Sequence, residues 1–128
     1  MASNRKTVTG EVEEQLPLTP PVFGILLALA DGPKHGYAIM QEVTKSTEGR
    51  VRLGPGTLYG ALDRMKAARW IEETEEVGES NDERRRYYRL TIYGLKIFKA
   101  EAHRLAHWVA EAKRKLGLRK SANAAVSP

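Results

Sequence analysis

Apolar residues recur along this chain with two different periods, and the change between them marks out its elements. Thr19 followed by Pro20 and Pro21 marks a helix start, because a first-turn proline gives up only an N–H that has no intrahelical partner. Val22, Phe23, Ile25, Leu26, Leu27 and Leu29 make that helix apolar around much of its circumference until Asp31-Gly32-Pro33 stops it, which suits the centre of a small core. A second helix fits His35 to about Thr47, with Tyr37, Met40 and Val43 inward and Gln41, Glu42 and Lys45 outward. A short extended piece around Arg50 to Leu53 leads into a third, within Leu53–Ile71. There Gly54 and Pro55 suit the cap and first turn, and Leu58, Leu62 and Met65 share one side.

Past Ile71 the pattern turns strand-like. Trp70 to Glu76 and Arg84 to Thr91 flank V-G-E-S-N-D-E, a turn-forming stretch, and together predict a hairpin. In R-R-R-Y-Y-R-L the alternation places Arg86, Tyr88 and Leu90 on one face, with Tyr88 and Leu90 assigned inward. The final element has the longest period. Leu95, Phe98, Ala102, Leu105, Val109, Ala112 and Leu116 alternate steps of three and four, a heptad seam over three repeats. A helix of roughly 25 residues reaches about 37 Å, more than a domain this small covers, so the seam is expected to meet its copy in a homodimer. Folding back along its own domain is the alternative.

The order helix, helix, helix, hairpin is that of a winged helix-turn-helix. The expected class is therefore mainly α (α+β), with a winged domain over residues 18–91 and a C-terminal dimerisation helix over 92–117. A mobile arm is expected over 1–17 and a flexible tail over 118–128, since both ends are polar or small without a sustained period.

The third helix is lopsided. Opposite its apolar side it offers Thr57, Tyr59, Gly60, Arg64 and Lys66: hydroxyls, a small residue and positive charge, which suit phosphates and base edges. Composition agrees. The 128 residues have room for one domain and an appended helix, and the charge of +5 with a pI near 9.6 favours an acidic partner, double-stranded DNA before an anionic membrane. With no cysteine, disulfides, thiol redox chemistry and cysteine-ligated metals are excluded. The first residues lack a signal-peptide core, and the longest apolar run, Val22 to Ala30, is too short to span a bilayer, so a cytoplasmic protein without membrane attachment is expected. Paired carboxylates, a nucleophile with its base and a phosphate-cradling loop cannot be assembled, so neither an enzyme nor a cofactor is expected.

Several motifs in this order resemble the PadR-like transcriptional regulators: the apolar first helix, H-G-Y at His35 to Tyr37, G-T-L-Y at Gly56 to Tyr59, Leu62 and Met65, and Y-Y-R-L-T at Tyr87 to Thr91 with Gly94 shortly after. The resemblance covers roughly Pro20 to Leu116 and is closest to the short branch with one C-terminal helix. It implies a dimeric winged-helix repressor that releases DNA on binding a small aromatic or cationic effector. The chain departs from the family at three places. Its wing tip, S-N-D-E, is acidic beside the basic Arg84, Arg85 and Arg86. Leu105 stands where multidrug-binding members carry a ligand-stacking tryptophan, with Trp108 one turn later. Gly60 replaces a frequent proline.

Individual residues keep two readings each. Thr57 and Tyr59 donate to phosphates, or Tyr59 packs its ring over the core; Arg64 reads a guanine edge, or pairs with Asp63. Lys34, Gly36 and Tyr37 clamp the backbone, or Tyr37 is core. Arg84, Arg85 and Arg86 touch DNA, or pair across the hairpin with its many acidic residues. Phe98, Leu105 and Trp108, with the first helix, are the candidate effector site, while Trp108 otherwise covers the dimer edge. His103 and His107, one turn apart, lack a third ligand and read as a solvated face, so no metal is expected. The sequence thus points to a sequence-specific, ligand-responsive repressor on a roughly palindromic operator. The rival from another class is a winged-helix protein-interaction adaptor.

Overall fold

The central helix is where the chain's apolar density is highest, and the rest of the structure is arranged around it. The computed structural model describes residues 8–77 and 84–126, without the side chains of 8–9, 76–77, 84–85 and 121–126. The order is α1 (Val8–Glu14), α2 (Pro20–Leu29), β1 (Lys34–His35), α3 (Gly36–Ser46), α4 (Pro55–Ala67), β2 (Ile71–Val77), β3 (Arg84–Leu90) and α5 (Ile92–Val126). Thr19 caps α2 as expected, its hydroxyl accepting the Val22 N–H at 3.4 Å, and Ile25 and Leu26 are fully buried. Against them pack Ile39 and Val43 of α3, Leu58, Ala61, Leu62 and Met65 of α4, and Ile97 of α5. At about 25 cal/mol per Å² of buried apolar surface, these side chains dominate the stability of the domain.

The sheet is antiparallel with strand order β1-β3-β2, in the register Ile71↔Leu90 and Glu73↔Tyr88 on one side and Lys34↔Tyr88 on the other. The inner face is the one expected: Tyr88 is buried and Leu90 half-buried. This is a winged helix-turn-helix followed by a long C-terminal helix. The two-residue β1, too short to leave a period-2 signature, was not expected.

Three expectations are corrected. The arm foreseen over 1–17 is helical from Val8 to Glu14, with Val12 buried and packed in the core cluster; residues 1–7 lie outside the described part. One buried valine in an otherwise polar stretch leaves no period to detect. Tyr37, expected to face inward, is 61 % exposed, and the inward positions of α3 are Gly36, Ile39 and Val43. The tail foreseen from 118 is a continuation of α5, which is 35 residues long and so spans about 52 Å. Small and polar residues such as Ser121-Ala122-Asn123-Ala124 carry no stop signal, and an established helix propagates through them. Ser127 and Pro128 lie outside the described residues.

The start of α5 is fixed by Thr91. Its hydroxyl donates to the carbonyls of Arg69 (2.6 Å) and Trp70 (3.1 Å) and accepts the N–H of Gly94 at 3.0 Å. Gly94 is required there, because a Cβ would overlap the Trp70 carbonyl. From that point α5 turns one side to the domain through Gly94, Ile97 and Glu101, each one position before a seam residue. The packing face and the heptad seam are therefore neighbouring stripes. Phe98 bridges them, stacked on Phe23 of α2 at 5.5 Å between ring centroids. Glu101, 1 % exposed, accepts two hydrogen bonds from Arg104 within α5 and the Leu18 N–H at 2.6 Å, which ties the segment between α1 and α2 to α5. Hydrogen bonding from Arg104, then the Leu18 amide, holds its carboxyl below the ordinary glutamate value despite burial.

Candidate nucleic-acid interface

The residues of the short motifs interlock at one corner of the domain. His35 caps α3, its Nδ1 accepting the Ala38 N–H at 3.2 Å, and its ring stands edge-on to Tyr87 of β3 at 5.5 Å. Gly36 comes next in close contact with α4: a Cβ there would overlap the hydroxyl of Tyr59, whose ring lies against the α3 start and would have to swing aside. Leu58, one residue before, is fully buried and anchors α4, so Tyr59 is aimed by the core beneath it. Tyr37 then projects outward.

The outcome is a groove of about 360 Å³ lined by His35, Gly36, Tyr37, Tyr59 and Arg86, bringing together four of the expected DNA contacts from α3, α4 and β3. Tyr59 is 44 % exposed and lines the groove, with its hydroxyl the atom nearest Gly36. His35 is the residue that sequence reasoning left without a role; the H-G-Y motif was the signal, but a histidine cap is less familiar than serine, threonine, aspartate or asparagine.

Other expected contacts stand apart. Thr57 and Arg64 are exposed on α4, and no Arg64–Asp63 ion pair forms among the described residues. The Arg64 side chain borders Val22, Ala61, Met65, Ala68 and Trp70 on another side of the helix. At Gly60 a Cβ would meet only Arg64 Nη1, at 3.5 Å, an ordinary contact, so internal packing does not demand glycine there. Lys34 is partly buried and ion-paired with Asp31, whose carboxyl that contact holds below its usual value.

Lys66 and Arg86 share a partner. Lys66 Nζ lies 2.7 Å from Glu73 Oε2, and Arg86 Nε lies 3.6 Å from Glu73 Oε1. With Thr74 and Glu75 they line a second groove, of about 600 Å³, on the far side of Arg86 from the first. The hydrogen bond from Lys66 lowers the Glu73 carboxyl below its ordinary value and raises the Lys66 ammonium above its own. The cross-hairpin reading of the arginines is met at Arg86, and Arg89 also pairs with Glu72 at 2.7 Å. The side chains of Arg84 and Arg85, and the acidic tip at 78–83, lie outside the described part. Glu73 was not foreseen, because in sequence it is one of seven acidic residues between 72 and 83 and only the folded register distinguishes it.

Along α5 the seam is open in the single chain. Leu95, Val109, Ala112 and Leu116 are exposed, while Phe98, Ala102 and Leu105 are half-buried. Phe98, Leu105 and Trp108 do not converge on one cavity. Trp108, 65 % exposed with the Arg104 guanidinium over its ring at 5.1 Å, borders a groove of about 660 Å³ shared with Glu13, Leu16 and Pro17 from the α1 side and Lys99, Ala100, His103, Arg104 and His107. Among the described residues no cluster of three potential ligands suits a metal ion, and no helix is long and apolar enough to cross a membrane.

Comparison with known proteins agrees with this architecture. An uncharacterized 37.1 kDa protein in transposon TN4556 of Streptomyces fradiae is 45 % identical over 82 residues, which are 64 % of this chain and 22 % of that protein. The chain thus spans about a fifth of that relative's length. A PadR family transcription regulator from Clostridium difficile superposes with a TM-score of 0.61 at 25 % identity, covering 77 % of this chain and 99 % of that one. Bacillus subtilis PadR, solved in complex with operator DNA, shares the fold with a TM-score of 0.57 at 18 % identity, over 66 % of this chain and 46 % of that one. The model of the transcriptional regulator PadR-like family matches residues 25–100, which run from the second half of α2 to the first turns of α5, and the chain belongs to that family.

Proposed function

We propose that the chain is a cytoplasmic, sequence-specific DNA-binding regulator that acts as a homodimer on a roughly palindromic operator and represses until an effector binds. The observation that carries the DNA reading is the convergence of Gly36, Tyr37, Tyr59 and Arg86 on one groove beside the exposed polar face of α4. Hydroxyl, backbone and guanidinium donors at one rim suit phosphate oxygens, while the exposure of Arg64 on α4 supports its reading as a base contact. The exposed seam from Leu95 to Leu116 supports pairing with a second copy, which would set two α4 helices about 34–36 Å apart in successive major grooves. The groove beside Trp108 supports an effector with a flat ring.

Fluorescence anisotropy with the duplex upstream of the protein's own coding region, against a scrambled duplex over a salt series, tests the reading. Preference for the native duplex with steep salt dependence supports it; equal weak binding to both overturns it. The acidic β2 edge, with exposed Glu72 and Glu75, favours the adaptor as second reading. An adaptor keeps its protein partner when Tyr59 and Arg64 are replaced by alanine, whereas a DNA regulator loses its operator.

A further inference from the structure

Two of the cations counted toward DNA binding are held by one carboxylate. Glu73 presents one oxygen to Lys66 at the end of α4 and the other to Arg86 on β3, across the angle between helix and wing. Glu72 points its charge to Arg89 instead, and Glu75, though the Cα partner of Arg86, has no ion pair among the described residues. The pairing is also accessible: Lys66 and Glu73 side chains are each 35 % exposed and Arg86 is 81 % exposed, so a phosphate can reach both cations and compete for them.

Resting on the DNA-binding reading above, we propose that Glu73 is a specificity-setting residue, which withholds Lys66 and Arg86 from sequence-independent contact with phosphates. Binding without sequence preference draws nearly all its free energy from cations that displace counterions. Each cation already neutralised by a carboxylate contributes less, since the new contact must replace an existing one. A seated recognition helix contacts base edges chiefly through its N-terminal residues. Lys66 lies seven residues beyond Tyr59, about 10 Å further along α4, so the seated complex depends on it less. A disoriented complex uses any cation that is free. Removing the carboxylate therefore strengthens wrong binding more than right binding.

The test is Glu73→Gln, which keeps the shape and removes the charge, with Glu73→Asp as the charge-retaining control and the double variant Glu73→Gln with Arg86→Gln. Heparin affinity chromatography reads the cations without any base edge, and anisotropy on native and scrambled duplexes over a salt series reads specificity. Expected for Glu73→Gln are elution from heparin at higher salt, scrambled-duplex binding tighter by on the order of tenfold, and a log–log salt slope steeper by about 0.9, the one positive charge that the carboxylate had cancelled. The native duplex gains less, Glu73→Asp stays near wild type, and the double variant, which also loses one cation, returns the slope to near the wild-type value. An unchanged slope, weaker binding to both duplexes, or equal gain on both overturns the proposal. If heparin elution shifts while wild type shows no preference for the native duplex, the operator reading falls instead, and the hold on the two cations stands.

Discussion

The winged domain and the outer half of α5 are built on opposite terms. In residues 20–90 almost every large apolar side chain has found a neighbour within its own chain, with Ile25, Leu26, Ile39, Leu58 and Leu62 fully buried. Beyond Glu101 the apolar residues Trp108, Val109, Leu116 and Leu118 are all more than half exposed. The same type of signal, apolar residues at helical spacing, therefore describes two different physical situations: a face that closes a core and a face with no cover inside its own chain. What separates them is reach, because α5 at about 52 Å outruns the domain that could have covered it.

That contrast breaks most sharply with matched substitutions on the two sides. Leu62→Ala removes a fully buried side chain where the neighbours cannot collapse, and is expected to cost about 2–5 kcal/mol of unfolding free energy, read as a lower urea midpoint at unchanged slope. Val109→Asp with Leu116→Asp should leave the helicity of the single chain nearly intact, since both positions are solvent-facing in it. Its effect is on the proposed dimer: burying charges at the seam should raise the dissociation constant on the order of a hundredfold or more, seen by light scattering as a shift from dimer to monomer. A dimer unaffected by both aspartates would mean that the seam is not the interface.

Glu101 sits on the border between the two regions, and its behaviour with pH sharpens where that border lies. Its folded pKa is depressed, by Arg104 first and the Leu18 amide after, so its stabilisation is fully present above the ordinary glutamate value of 4.5 and is lost as pH falls through the lower, folded value. Glu101→Gln should cost about 1–3 kcal/mol at pH 7, and the gap to wild type should close as the pH is lowered below 4.5. Urea midpoints of both proteins at pH 7 and at pH 3 check this; a gap independent of pH would assign the loss to packing alone.

Much of the fold was legible because it is written in local chemistry: Thr19 before two prolines, Gly54-Pro55 ahead of α4, and the switch to alternation at Ile71 each act within a few residues. What escaped depends on distance in sequence. Val12 is buried only because α5 returns over it, Ile97 and Glu101 lie one position off a seam that draws the eye, and β1 exists only as a partner for Tyr87 and Tyr88. The site followed the same rule. Tyr59, Gly36 and Arg86 were named singly from residue type, but their meeting at one groove, and the sharing of Lys66 and Arg86 by Glu73, are products of register and helix crossing that no spacing encodes.

The smallest expected effect falls on Tyr59, which lines the groove beside Gly36. The hydroxyl and outer ring edge of Tyr59 lie against Gly36 at the groove, so Tyr59→Phe separates packing from donation: it keeps the ring and removes a single neutral donor. Unfolding should be unchanged, and affinity for native and scrambled duplexes should fall alike by about fivefold, the equivalent of one hydrogen bond near 1 kcal/mol. The salt slope should not move, because no charge is lost. Gly36→Ala attacks the same contact from the other side. Its methyl group displaces the Tyr59 ring and disturbs the aim of the α4 start, so it should weaken DNA binding more than loss of the hydroxyl does while leaving Leu58 and the core in place. If the two variants bind equally, the ring's position carries no weight and the hydroxyl alone makes the contact.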